Sequence, residues 1–432
     1  MDIYISSLQE FLSEIIKNIE LLKLVNYSST DSIKKQLTDH LSRLKPDSYL
    51  LIETSYTDKV FRDSYYKYYS TKLSNYERNC IKLSIFSKEI NTEDFRNITE
   101  DKRKYLQNIY MGFIIIRPTP PHIIGRNVLS PEAITTKNKI LICFAEIPIT
   151  ANSIKLKASG FPHSSQDSEV MSCAETSIWA LMEYFSHKYA GYRPILPSEI
   201  ISAINDISHE RLLPSTGLDI VRISYALRKF GFEPKIYSKE VYGSRWFENL
   251  LSCYIESGIP LILAIEWKQL KSGHAIICCG HEEVQETLID STNRLSYSEE
   301  KLESAFQEKK IIIRDSDDIN KKFVFVDDNL PVYQSQYLSS PTQHYELKEL
   351  NSAKITHFIA PLYSRIYIEA YQAKSFILTL IGKSSFFDSL SNKEIFLRVF
   401  LASSRSYKDY LLTNNSLNSK LPRPKDVALM RL

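Results

Sequence analysis

Two segments carry the residues able to do chemistry, Gln166-Asp-Ser-Glu-Val-Met-Ser-Cys173-Ala-Glu-Thr-Ser-Ile-Trp179 and Ser272-Gly-His274-Ala-Ile-Ile-Cys-Cys-Gly280. A thiol attacks as its thiolate, and an ordinary cysteine, with a pKa of about 8.5, is only slightly ionised at neutral pH. A helix N-terminus favours the anion, because its unpaired backbone N–H groups and the helix dipole both attract negative charge. Cys173 stands where a helix is predicted to begin. His274 opens an apolar strand, where a stiff backbone would hold its imidazole, and Gly273 leaves room beside it. An imidazole in reach of the thiol can take its proton and later deliver it to a leaving amine.

Such a histidine needs an acceptor that fixes its tautomer and orientation. Asp327, closing the apolar run Phe323-Val-Phe-Val326, is the favoured residue, with Asp328 directly after it and Asp290 in Leu288-Ile-Asp-Ser as rivals. The oxyanion of a tetrahedral intermediate also needs donors placed in advance. The Gln166 side chain and the Cys173 backbone N–H are the candidates.

The elements that must position these residues can be read from periodicity. Residues 3–25 repeat apolar groups at helical spacing (Ile5, Leu8, Leu12, Ile15, Ile16, Ile19, Leu22), and a second helix is predicted over Ser32 to Leu44. The tyrosine-rich stretch from Lys59 to Phe86 reads as a further helix whose aromatic face packs on a neighbour. From Tyr110 the pattern turns to strand-length apolar runs broken by Pro118-Thr-Pro-Pro121. The pair Gly125-Arg126 reads first as a salt bridge and only second as an anion site.

Cys173 to about Lys188 places Ile178, Leu181, Met182 and Phe185 on one helical face. Further helices are predicted at Pro197-Ser-Glu-Ile-Ile, from Gly217 to Gly231, and from Trp246 to Glu256. Strands follow at Gly258 to Glu266, His274 to Gly280 and Lys322 to Asp327. Helices first and strands later argue α+β with an antiparallel sheet. After residue 350, strands are predicted at Ser375 to Ile381 and Ile395 to Leu401, and a short helix around Tyr407 to Leu412.

Gln166 followed by Cys173 on a helix, Gly217-Leu, Ser257-Gly-Ile-Pro-Leu-Ile, Gly273-His274-Ala-Ile-Ile-Cys-Cys-Gly280 and a strand ending in Asp327 resemble the papain-like cysteine peptidase superfamily. The resemblance covers about residues 160 to 340 and is strongest to the branch containing the bacterial peptidases that cleave double-glycine leader peptides. It implies a helical lobe bearing the nucleophile, a sheet lobe bearing the histidine and a cleft between them. By that resemblance Cys173 is the nucleophile, His274 the base, Asp327 the orienting acid and Gln166 the oxyanion donor. Gln166 stands one residue farther from the cysteine than the family spacing, which leaves Asp167 or a backbone group as the alternative. Ser291 to Lys321, with a predicted helix at Ser298 to Gln307, lengthens the path from the histidine strand to Asp327.

The implied organisation is a mainly helical region at 1–109, a β-rich segment at 110–160, a papain-like domain at 161–345 and an α/β extension at 346–432. With 432 residues, 43% hydrophobic and 24% charged, the chain has ample material for packed cores. A net charge of +3 gives no electrostatic case for nucleic acid or a membrane surface as partner, and no apolar run reaches the roughly 18 to 20 residues of a spanning helix. Six scattered cysteines and the absence of a signal-peptide pattern favour the cytoplasm. Cys278, Cys279 and His281 lack the paired spacing of a zinc site, so neither metal nor cofactor is expected.

These observations point to hydrolysis of a peptide or isopeptide bond in a protein substrate, with the N-terminal region free to engage a protein partner. Two alternatives remain: an acyltransferase or transglutaminase-like enzyme using the same thioester chemistry, and a silent interaction module.

Overall fold

The computed structural model describes residues 3–15, 17–18, 30–167, 169–205, 219–270, 272–284, 300–364, 366, 369–383 and 385–402. Helices and mainly antiparallel sheets combine in an α+β architecture.

Among the described residues, eight strands lie before the Cys173 segment: β1 (Ile3–Ser7), β2 (Tyr49–Tyr56), β3 (Cys80–Phe86), β4 (Tyr110–Ile116), β5 (Ile124–Leu129), β6 (Ile140–Ile142), β7 (Ala145–Ala151) and β8 (Ile154–His163). Seven of them form one antiparallel sheet in the order β1-β2-β3-β4-β5-β8-β7. Within 1–109, the region expected to be mainly helical, β1, β2 and β3 stand beside the helices Leu8–Ser13, Thr30–Leu41, Lys59–Lys67 and Glu100–Ile109. Because β3 pairs with β4, the expected boundary at 109/110 runs through the middle of a sheet. Residues 3–7 are a strand rather than the start of a long helix, since Ile3 to Ser7 pair with Glu53 to Tyr49 and a short helix begins only at Leu8. The tyrosine-rich stretch is likewise divided. A helix over Lys59–Lys67, capped by Asp58 accepting from the Val60 and Phe61 amides, gives way to strand β3.

The second sheet uses β9 (Lys235–Ser238), β10 (Leu261–Trp267), β11 (Ser272–Glu282), β13 (Phe323–Val326), β14 (Gln334–Gln336) and β15 (Lys354–Ala360), in the order β14-β13-β11-β10-β15-β9. β15 pairs with β10 at the sheet centre, so a boundary at 345/346 would cut this sheet too. Strands β12 (Ile312–Asp315) and β16 (Glu394–Leu397) form a separate parallel pair. The run at Ser375 to Ile381, expected as a strand, lies inside helix Ala370–Lys383. The proposed helix at Tyr407 to Leu412 and the residues Gly217, Leu218 and Asp290 fall outside the described residues.

Side-chain alternation gives the second sheet two buried faces. Ala275, Ile277 and Cys279 of β11 and Val324 and Val326 of β13 join the large core shared with the first sheet. Ile276, Cys278, Phe323 and Phe325 point to a second core beneath helix Lys239–Glu256. The helix Cys173–Lys188 packs between the two sheets, against β11 on one side and β7 and β8 on the other. Every residue from Ala174 to Phe185 is therefore buried, where an amphipathic helix had been expected. β6 crosses from the N-terminal half to pair with the far end of β11, and a side chain at Gly280 would place its Cβ 2.1 Å from the Leu141 carbonyl oxygen. That contact makes glycine a requirement there.

Candidate active site

Cys173 is the first residue of its helix, directly after the extended N-cap Ser172. Its amide lacks an intrahelical acceptor and adjoins the positive end of the dipole. Among the described cysteines it alone is partly exposed; Cys80, Cys143, Cys253, Cys278 and Cys279 are buried.

The segment before it is fastened on several sides. Asp167 Oδ1 accepts from the amides of Glu169, Val170 and Met171 at 3.0, 2.8 and 2.9 Å. These bonds use Asp167 Oδ1 as a structural acceptor for the loop, a role different from donating to an oxyanion. Arg117 Nη2 donates to the carbonyls of Ser165 and Gln166 at 3.1 and 3.3 Å. Glu169 is held by Lys72 at 2.6 Å and by the Tyr68 hydroxyl, so the tyrosine-rich segment braces this loop.

His274 lies near the start of β11, with its side chain 7% exposed. Its Nε2 is 3.0 Å from Asp327 Oδ1. A carboxylate only accepts, so Nε2 carries the proton and Nδ1 is the nitrogen left for the thiol. Burial lowers the His274 pKa, but the Asp327 charge and hydrogen bond, the interaction with the Cys173 side chain and the Asp328 charge together raise it well above 6.5. Asp327 accepts further from the Asn329 amide at 3.0 Å and the Tyr345 hydroxyl at 2.6 Å. Burial raises the Asp327 pKa, yet His274 and these donors bring it below the usual carboxylate value. The Trp267 ring lies 6.2 Å from that of His274 and 6.2 Å from that of Tyr345, shielding this side of the pair. Beside Gly273 an added Cβ would meet only the Ile265 carbonyl oxygen, at 3.7 Å, so approach from this side is open.

Gln166 is joined to the same cluster through its side-chain amide, which donates to Asn329 Oδ1, while Asn329 Nδ2 lies 3.2 Å from His274 Nε2. The Gln166 amide N–H donates to the Asp328 carbonyl at 3.3 Å. His163, at the end of β8, places Nε2 3.0 Å from the Asp327 carbonyl oxygen and Nδ1 2.7 Å from Asn127. Facing a carbonyl, Nε2 donates, while Nδ1 accepts from the Asn127 side-chain N–H, and a ring that accepts is neutral; burial agrees, lowering its pKa to about 4. The first sheet thus holds the backbone of the acid that orients His274.

The structure therefore brings together Cys173, His274, Asp327 and Gln166, which are far apart in the chain. Asn329, Tyr345, Trp267 and His163 were missed. Only Asn329 had a sequence signal, as the third residue of Asp327-Asp328-Asn329. His274, Asp327 and Asp328 offer ligand atoms within 4.8 Å of one another. As a metal site the trio fits poorly, because both Asp327 oxygens already accept from Asn329 and Tyr345 and Nε2 is at hydrogen-bond distance from Oδ1. His281 is engaged elsewhere, 2.8 Å from Glu256. Arg126 lies on β5, where it pairs with Asp58 at 2.9 Å and Glu183 at 3.5 Å, which makes it an internal salt bridge. No helix among the described residues is long and apolar enough to cross a membrane. No protein-family model matches the chain, and no curated protein matches its sequence.

Proposed function

We propose that this chain is a papain-like cysteine peptidase that hydrolyses a peptide or isopeptide bond through a thioester. The observation that carries the reading is a partly exposed thiol at a helix N-terminus whose side chain interacts with an imidazole held at Nε2 by a buried carboxylate.

His274 removes the Cys173 proton through Nδ1, and the sulfur attacks the substrate carbonyl carbon. The oxyanion is met by the Cys173 backbone N–H and the second N–H of the Gln166 side chain, whose first donates to Asn329. As the intermediate collapses, the C–N bond breaks and His274 gives its proton to the departing amine. A thioester on Cys173 remains. His274 then takes a proton from water as the oxygen attacks, and a second collapse releases the carboxylic acid and restores the thiol. Throughout, Asp327 keeps the Nε2 proton and stabilises the imidazolium, while Tyr345 and the Asn329 amide hold Asp327.

Incubation with a defined peptide library, followed by mass spectrometry of the protein and the peptides, tests this reading. The expected result is new peptide termini together with an acyl adduct on Cys173 that hydroxylamine discharges, both absent in Cys173→Ala. Cleavage that persists in Cys173→Ala would overturn it, and transfer to added amines in preference to water would assign an acyltransferase instead.

A further inference from the structure

Asp328, next to the orienting acid, is an anomaly. It is 5% exposed, and among the described residues neither carboxyl oxygen has a hydrogen-bond partner. An ionised carboxylate buried in this way is costly, and such groups hold a proton instead. Its Oδ1 lies 3.4 Å from His274 Nε2, the nitrogen already engaged by Asp327 at 3.0 Å. The titratable groups facing it are His274 from β11, Asp327 beside it, Glu175 from the Cys173 helix and Tyr345 from the turn beyond β14. Glu175 is itself buried, takes a hydrogen bond from the Ser172 hydroxyl, and has its pKa raised chiefly by burial. Two carboxyl groups thus bear on one imidazole, which can compensate one negative charge but not two, and a third, Glu175, bears on Asp328 itself.

We propose that Asp328 is a neutral, proton-bearing acid at rest that acts through His274, leaving Asp327 as the single carboxylate on the imidazolium. The proposal rests on the peptidase reading of the Cys173–His274 pair. With Asp328 protonated, His274 stays acidic enough to give its proton to a leaving amine. When Asp328 loses its proton to solvent, a second negative charge bears on Nε2, the imidazolium holds its proton more tightly, and acylation slows. Burial, reinforced by the Asp327 and Glu175 charges against the opposing pull of His274, raises the Asp328 pKa to about 7, which places this change near neutrality. Asp328 is a positioning residue in the electrostatic sense and does not touch the substrate.

The test is the pH profile of Cys173 alkylation and of peptide turnover in the full chain, compared with Asp328→Asn, which keeps shape and neutrality. The proposal expects a near-neutral inflection in the wild type that is lost in the variant, with the alkaline fall in turnover moved up by about one pH unit. Infrared spectra of the wild type should also contain a protonated-carboxyl band that fades through the same pH range, and Glu175→Gln should leave it in place. This readout does not depend on the variant folding. Superimposable profiles, or a wild type without the band, would overturn the proposal while leaving the peptidase reading intact. A difference that arises only when zinc is added would also overturn it, by making Asp328 a ligand. If Cys173 is not alkylated ahead of the other cysteines in the wild type, it is the peptidase reading that falls.

Discussion

At Cys173 the thiol begins a helix, is partly exposed and adjoins His274; at Cys253 the thiol lies in the last turn of helix Lys239–Glu256, is buried and donates to Asp317 Oδ2 at 2.9 Å. Each cluster joins a cysteine, an aspartate and a nitrogen base. In the second the base is Lys374, wedged 2.6 Å from Asp317 and 2.5 Å from Asp315. Burial opposes its charge, but the two carboxylates prevail and raise its pKa, so it cannot accept a proton. Burial and the Asp317 charge push the Cys253 thiol up, and the negative end of its helix offers a thiolate no help. On the proposed reading, residue types alone do not make a nucleophile. Position along the helix, access and a base with a vacant nitrogen separate chemistry from a structural tie.

The largest expected contrast comes from the two bases. His274→Ala should slow alkylation of Cys173 by about 10²- to 10⁴-fold, the usual range for loss of a positioned base. Lys374→Met should leave that rate unchanged. Gln166→Ala should reduce turnover by about 10²- to 10³-fold through loss of an oxyanion donor, with little effect on the alkylation rate, which builds no oxyanion. The lysine cluster should reveal itself in stability instead. Lys374→Met leaves Asp315 and Asp317 buried without their cation and should cost about 3–5 kcal/mol in denaturant unfolding.

The smallest effect is in pH dependence. The folded chain holds a proton on Asp328 between its ordinary value of 3.8 and about 7, so this group lowers stability progressively as pH rises through that window and adds no further change above it. Asp328→Asn should flatten that part of the curve of Tm against pH. Asp327, with its pKa depressed, works in the opposite sense: its contribution is present above 3.8 and is lost as pH falls through the lower folded value.

The residues of the proposed site were legible because few side chains can do such work. A cysteine at a helix start and a histidine at a strand start are distinctive even without a neighbour in view. The elements around them were less so. Ile5 fits a helical stripe with Leu8 and Leu12 as well as it fits strand alternation with Ile3, and the pairing of Ile3 with Glu53 and of Ile5 with Leu51 decides for the strand. The run Ser375 to Ile381 is rich in strand formers, yet Ala370, Ala373, Lys374, Leu378 and Ile381 are the buried positions, the spacing of a helix packed on Lys239–Glu256. Lys374 was hidden in this stripe because only its partners, brought from β12 and the turn after it, make a buried lysine tolerable. His163 and Tyr345 could not be found from the sequence either, because each touches Asp327 through tertiary contact alone.

The central claim is that Cys173, of the six cysteines, is the one activated by a neighbouring imidazole. It is tested most directly by mapping iodoacetamide incorporation against time by mass spectrometry in the native wild-type protein and in His274→Ala. The account predicts that Cys173 is modified well before the other five and loses that lead in the variant. Equal rates at all six sites, or a Cys173 rate indifferent to residue 274, would contradict it.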